Sequence, residues 1–112
     1  MQKDPQFLLD MLLSAKIAVE YVTGKSPEDW VTNLQLQDAV IRRLLIIGEA
    51  ARRTSEETKQ NLPKIPWTAI NGMRNRLVHE YDDIDLDVIW DTLIKSLPIL
   101  IKELEKVILL EE

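Results

Sequence analysis

From Leu8 to Ile108 the apolar residues of this chain return at every third or fourth position, and no stretch alternates apolar with polar as a half-buried strand would. Leu8, Met11, Leu12, Ala15, Val19 and Val22 make one such face, with Asp4 expected as N-cap, Pro5 at the first helical position and Gly24 closing the helix. Ser26-Pro27-Glu28-Asp29 has the order of a short helix start. A second long helix is expected from about Leu34 into Arg53, its stripe formed by Leu36, Val40, Leu44, Ile47 and Ala51. The small residues at Gly48-Glu49-Ala50-Ala51 predict that another helix packs closely there or that the spot faces a partner. Ser55-Glu56-Glu57-Thr58 opens a short segment, and Pro63 and Pro66 bracket a connection. Pro66 is expected to begin a third helix with Trp67, Ile70 and Leu77 inward. After Asp82-Asp83-Ile84-Asp85 a last helix carries Val88, Ile89, Leu93, Leu97, Leu100, Leu104 and Ile108, and Pro98 inside it should kink it or shift its backbone bonding. The fold class that follows is all-α, an up-and-down bundle of four to five helices.

At 112 residues the chain fits a single domain, residues 1–112, with a modest core. The absence of cysteine excludes a disulfide scaffold, a thiolate metal site and a cysteine nucleophile. Met1-Gln2-Lys3-Asp4-Pro5 lacks the order of a signal peptide, and Lys95, Lys102, Glu103 and Glu105 interrupt the apolar stretches near the C-terminus. A cytoplasmic protein without a membrane partner is the expectation. The net charge of −5 is unevenly spread: Gln37 to His79 holds eight basic and four acidic residues, so that stretch is +4 and the remainder −9. Such a basic middle suits a local phosphate chain; equally, the arginines could be solvated helix faces. Arg42, Arg43 and Arg76 are the candidates for holding phosphate.

His79 is the only histidine, and no other side chain here has an unperturbed pKa near neutrality. A lone histidine can be a packed or surface residue. Its neighbours argue otherwise: Arg74, Asn75, Arg76, His79 and Tyr81 fall within one or two helical turns. Asn75 and His79, four apart, share a helix face, whereas Arg74 and His79 are five apart, about 140° around an ideal helix. Those two converge only if the helix ends near Val78 or Arg74 uses its full length.

This set suits RNA cleavage without a metal. A base must take the proton of the 2′-hydroxyl, which imidazole can do, and a cation must offset charge developing on the phosphorane, which a guanidinium fork matches. One histidine does not readily serve as both acid and base, and a two-fold dimer would bring two histidines into one cleft. Alternatively, Arg74 and Arg76 pair with Glu80 or the aspartates in a structural network. Asp82, Asp83, Asp85 and Asp87 lack the glycine and final glutamate of a calcium loop and read as a solvated turn and helix start. Trp30, Trp67 and Trp90 read as core or interface anchors.

At these residues the sequence resembles the HEPN superfamily, specifically the HepT-like toxins that pair with minimal nucleotidyltransferase antitoxins. The superfamily's mark is an arginine, a polar residue, a few variable positions and a histidine, here Arg74-Asn75-Arg76-Leu77-Val78-His79, and the HepT-like version continues to a tyrosine, here Tyr81. The resemblance extends through Gln37–Arg42, Ile47–Ala51, Ile65-Pro66-Trp67, Gly72–Asn75 and Val88–Asp91, essentially the whole chain. It implies a metal-independent RNase that uses no cofactor and acts on RNA rather than DNA, with Arg74 and His79 catalytic and Asn75 supporting them. It further implies a homodimer whose motifs line a shared cleft, and neutralisation by a cognate nucleotidyltransferase through AMP transfer to Tyr81. A non-catalytic helical module that holds a nucleotide or docks a nucleotidyltransferase is the competing expectation, and an Arg74 locked in a salt bridge away from the cleft would favour it.

Overall fold

The computed structural model describes the backbone of residues 3–111 and the side chains of residues 3–80 and 82–108. Helix α1 spans Asp4–Val22, α2 Pro27–Thr32, α3 Leu34–Arg53, α4 Glu56–Asn61 and α5 Trp67–His79. A short 3₁₀ turn, Tyr81–Asp83, leads to α6 (Leu86–Asp91), a π turn (Thr92–Ser96) and α7 (Leu97–Glu111), which run on as one helix. The described residues form no strand. Four long helical units therefore make the expected all-α bundle, with α2 and α4 as short connectors.

Tertiary contacts set the up-and-down order. Asp4 at the start of α1 bonds Ser55 just past the end of α3, so these two helices run oppositely. Trp67 and Ala51 line one cleft while Val78 and Leu45 line another, so α5 reverses α3. The far end of α7 returns to the α4–α5 connection, where Glu103 and Val107 face Leu62 and Ile65. Leu8, Met11, Ala15, Val40, Leu44, Ile47, Leu77, Leu93, Leu100 and Leu104 are buried between the helices. Each fully buried side chain of the Val, Leu or Met kind stabilises the bundle by roughly 1.5–3 kcal/mol before conformational entropy is subtracted. Trp30 is completely buried; its indole N–H donates to the Leu86 carbonyl at 2.8 Å and its ring packs 6.3 Å from Trp90, which ties α2 to α6.

Local signals explain most helix ends. Ser26 and Asp29 form a reciprocal capping box on α2, and Asn33 caps α3 through a bond from the Leu36 N–H. Gly24, at φ 78°, takes the left-handed position after α1 that a side chain would resist. The expected effect of Pro98 is seen as a change of bonding: the N–H of Leu97 reaches five residues back to Thr92. A proline has no N–H for the carbonyl four residues earlier and its ring crowds that carbonyl, which the wider π turn relieves.

Two helix starts differ from expectation. Asp4 is the first residue of α1 rather than its N-cap, a position held by Lys3 without a side-chain bond. The Asp4 carboxylate is buried and turned toward α4 instead. Its Oδ2 accepts from the Ser55 and Thr58 hydroxyls, each at 2.6 Å, and its Oδ1 from the Ser55 N–H at 3.1 Å. These long-range donors outweigh a local cap, and they hold the Asp4 pKa well below the usual carboxylate range. Pro66, expected inside α5, instead precedes it as the capping residue. Among the described residues no helix is long and apolar enough to cross a membrane.

Candidate active site

Helix α5 carries the motif, and α3 brings the surroundings to it. The two helices touch most closely where Gly48 faces Arg74: a β-carbon built on Gly48 would lie 2.5 Å from Arg74 Cβ and 2.6 Å from its Cγ. The small-residue stretch in α3 therefore marks a helix contact, the first of the two possibilities it raised. Because the glycine has no side chain, the stem of Arg74 crosses α3 directly and its guanidinium emerges beside the next residue, Glu49.

There the guanidinium meets two acceptors. Nη1 donates to the Asn75 side-chain oxygen at 3.1 Å, and Nη2 lies 3.9 Å from Glu49 Oε2. The other oxygen of Glu49 takes a bond from Arg53 Nε at 3.2 Å and sits 3.6 Å from Arg52. One carboxylate thus gathers three arginines. Arg74 remains 24% exposed, so it is restrained yet open to a ligand.

These groups border an open cleft of about 390 Å³ between α1, α3 and α5. Arg42, Arg53 and Arg74 supply its positive charge, Asp10 and Glu49 its negative charge, and Phe7, Leu45 and Val78 part of its apolar lining. Three cations against two carboxylates suit an anionic ligand that can compete with Glu49 for the guanidiniums. Glu49, Arg53 and Asp10 are not among the site residues that the sequence points to. Glu49 stood inside a recognisable segment, but only the packing of α3 on α5 shows that it meets Arg74.

The remaining motif residues lie elsewhere. Helix α5 continues through His79, so His79 leaves it about 140° from Arg74, and Val78 rather than His79 lines the cleft. His79 is exposed and has no hydrogen-bond or ion-pair partner among the described residues. Arg76 lines a smaller hollow with Glu80, Asp83 and Asp85, close to acids as the structural alternative expects, although no ion pair forms among the described residues. Arg43 is half-buried, with its Nε shielded from solvent and without a hydrogen-bond partner among the described residues. The side chain of Tyr81 lies outside the described residues; its backbone opens the 3₁₀ turn directly after α5. Among the described residues no three His, Cys, Asp or Glu side chains cluster closely enough to hold a metal ion. Within one chain, then, Arg74, Asn75 and Arg42 come together, and His79 does not join them.

Comparison with known proteins follows the same residues. The family model described as "Ribonuclease HepT-like" matches residues 11–107. A protein named "Putative RNase" from Caldanaerobacter subterraneus is 36% identical over 102 residues, covering 91% of each chain. A protein with that name from Methanocaldococcus jannaschii is 36% identical over 99 residues, covering 88% of this chain and 91% of its own. Another, named "Probable ribonuclease HepT", from Thermococcus cleftensis, is 34% identical over 100 residues, covering 89% of this chain and 91% of its own. No solved structure matches the chain.

Proposed function

Because the chain belongs to the ribonuclease HepT-like family of the HEPN superfamily, we propose that it is an RNA endonuclease that cleaves without a metal and acts as the toxin of a toxin–antitoxin pair. The observation that carries this is the Arg74 guanidinium, held by Asn75 and Glu49 in a cationic cleft yet left partly open. In the proposed reaction the 2′-oxygen of a nucleotide attacks the adjacent phosphorus while His79 takes the 2′-proton. The phosphorane oxygens gain charge, which Arg74 offsets, and the bond to the 5′-oxygen breaks. That oxygen leaves with a proton, and a 2′,3′-cyclic phosphate remains. Asn75 positions Arg74, and Arg42 binds the flanking phosphate.

His79 and Arg74 diverge on α5, so this chemistry is assigned to a homodimer in which His79 of one protomer approaches Arg74 of the other. A second histidine then serves as the acid. Control is assigned to a cognate minimal nucleotidyltransferase that transfers AMP to Tyr81, at the head of the turn just beyond His79. The added phosphate would place negative charge beside the position an RNA phosphate must take. A non-catalytic binding module is less well supported, because Glu49 pairs with Arg74 inside the cleft rather than away from it.

End-group analysis tests the reaction. RNA cut by the wild-type protein in EDTA should carry 2′,3′-cyclic phosphate and 5′-hydroxyl ends. Ends bearing a 3′-hydroxyl and a 5′-phosphate would contradict attack by the 2′-oxygen.

A further inference from the structure

The face of α5 that carries Arg74 begins about a turn earlier. Asn71 precedes Arg74 and Val78 at steps of three and four, so these three share one side of the helix, and Thr68 stands three residues before Asn71, about 120° around the axis from Arg74. With Arg52, Lys59, Gln60 and Trp67, Thr68 and Asn71 line a separate open cleft of about 430 Å³. The two clefts share no lining residue but both border the end of α3, where Arg52 lines one, Arg53 lines the other, and Glu49 pairs with both arginines. Thr68 and Arg74 are roughly 9 Å apart along the axis, within reach of nucleotides that flank one bound at Arg74.

We infer that this second cleft is a subsite for a base and a phosphate of single-stranded RNA lying along the α3–α5 groove, with Trp67 as the stacking surface and Lys59 and Arg52 as the phosphate contacts. The inference rests on the ribonuclease reading above and extends it to how substrate is held.

The chemistry of the lining supports it. Trp67 is half-buried and its N–H donates to the Leu62 carbonyl at 3.0 Å. That bond fixes the ring and uses the only donor of the indole, and Lys59 lies over the π-face that a base would take once Lys59 swings to its phosphate. The Lys59 ammonium stands 5.9 Å from the ring centroid and 3.7 Å from Glu56, an exposed carboxylate from which a phosphate can draw it. The side-chain amides of Gln60 and Asn71 are exposed and have no hydrogen-bond partner among the described residues, so they are available to a base edge. An aromatic surface, adjoining cations and open amides form the set by which proteins hold single strands. Were Trp67 only an anchor for the α4–α5 connection, with Lys59 as its cover, removing the charges here would not change how RNA binding responds to salt.

That response is the test. Full-length protein carrying His79→Ala, which allows binding without cleavage, is titrated with a short single-stranded RNA at several salt concentrations. Adding Lys59→Gln should reduce the slope of log K against log salt by about 0.7, the amount for one lost phosphate contact on a single strand. Lys102→Gln, the same charge change on an exposed part of α7, should leave the slope as it was. Trp67→Leu should weaken binding roughly 5- to 150-fold, and in otherwise wild-type protein Asn71→Ala should raise KM more than it lowers kcat. If wild-type protein cuts RNA but Lys59→Gln leaves the slope unchanged, the subsite is overturned while the ribonuclease reading stands. If the wild type neither binds nor cuts RNA, both fall.

Discussion

Gly48 and Arg74 occupy the same point in the bundle: a β-carbon on the glycine would overlap the Cβ and Cγ of the arginine. The contact with Cβ cannot be relieved by rotating the arginine side chain, because Cβ is fixed to the backbone of α5. The site geometry therefore begins in α3, with an absent side chain, rather than in the motif itself.

Gly48→Ala sets two effects against each other. Alanine is favoured over glycine inside a helix by up to about 1 kcal/mol, while overpacking a tight contact costs about 1–3 kcal/mol. At this distance the overpacking should win, lowering the urea midpoint, and displacement of Arg74 should lower cleavage further than the lost stability explains. A more stable variant with full activity would show that α3 and α5 are not in close contact here.

Glu49→Gln separates site from scaffold. The ion pairs of Glu49 are surface pairs worth about 0–1 kcal/mol each, so thermal unfolding should move little. Arg74 loses its charged anchor, and the cleavage rate should fall at saturating RNA. Unchanged cleavage would mean that Asn75 alone positions the guanidinium.

Asp4 predicts the response to acid. Hydrogen bonds from Ser55 and Thr58 place its folded pKa below its unfolded value, so the native state holds the proton less tightly. The stabilisation is complete above the unfolded value of about 3.9 and is lost as pH falls below it toward the folded value. Asp4→Asn should lower stability at neutral pH by about 1–3 kcal/mol and flatten the decline on the acid side. Parallel acid-unfolding curves for the variant and the wild type would place the acid sensitivity elsewhere.

Divergence of Arg74 and His79 on α5 leads to a complementation experiment. Arg74→Ala and His79→Ala proteins, each inactive alone, should recover part of the wild-type activity when unfolded together and refolded as a mixture. Mixed dimers would then contain an intact Arg74 opposite an intact His79, though without the second histidine that serves as the acid, so the recovered activity should be well below that of the wild type. No recovery from mixtures shown to contain mixed dimers would contradict a site in which one His79 and the opposite protomer's Arg74 sustain cleavage.

The sequence was most informative where a structure is made by neighbours in the chain. The limits of α3, the cap at Ser26, the turn at Gly24 and the disturbance around Pro98 all follow from local backbone chemistry, and each is present. Asp4 departs from its expected capping role because its carboxylate meets donors 51 and 54 residues away, a choice that local pattern does not contain. The motif on α5 could be read directly, as could the need for close packing at Gly48. The partner of Arg74 could not, since Glu49 looks like any exposed acid on a helix until α5 is laid against it. The angle between Arg74 and His79 followed from residue spacing once the end of α5 was known, and that end is the kind of boundary that periodicity defines poorly.

The most direct test of the account is cleavage of total cellular RNA in EDTA by the wild-type protein and by His79→Ala, each shown by mass spectrometry to be unmodified at Tyr81. Cutting by the wild type, with loss of cutting in a variant whose circular dichroism is unchanged, is the predicted result. Equal cutting by both would remove His79 from the chemistry, and no cutting by the wild type would contradict the ribonuclease assignment itself.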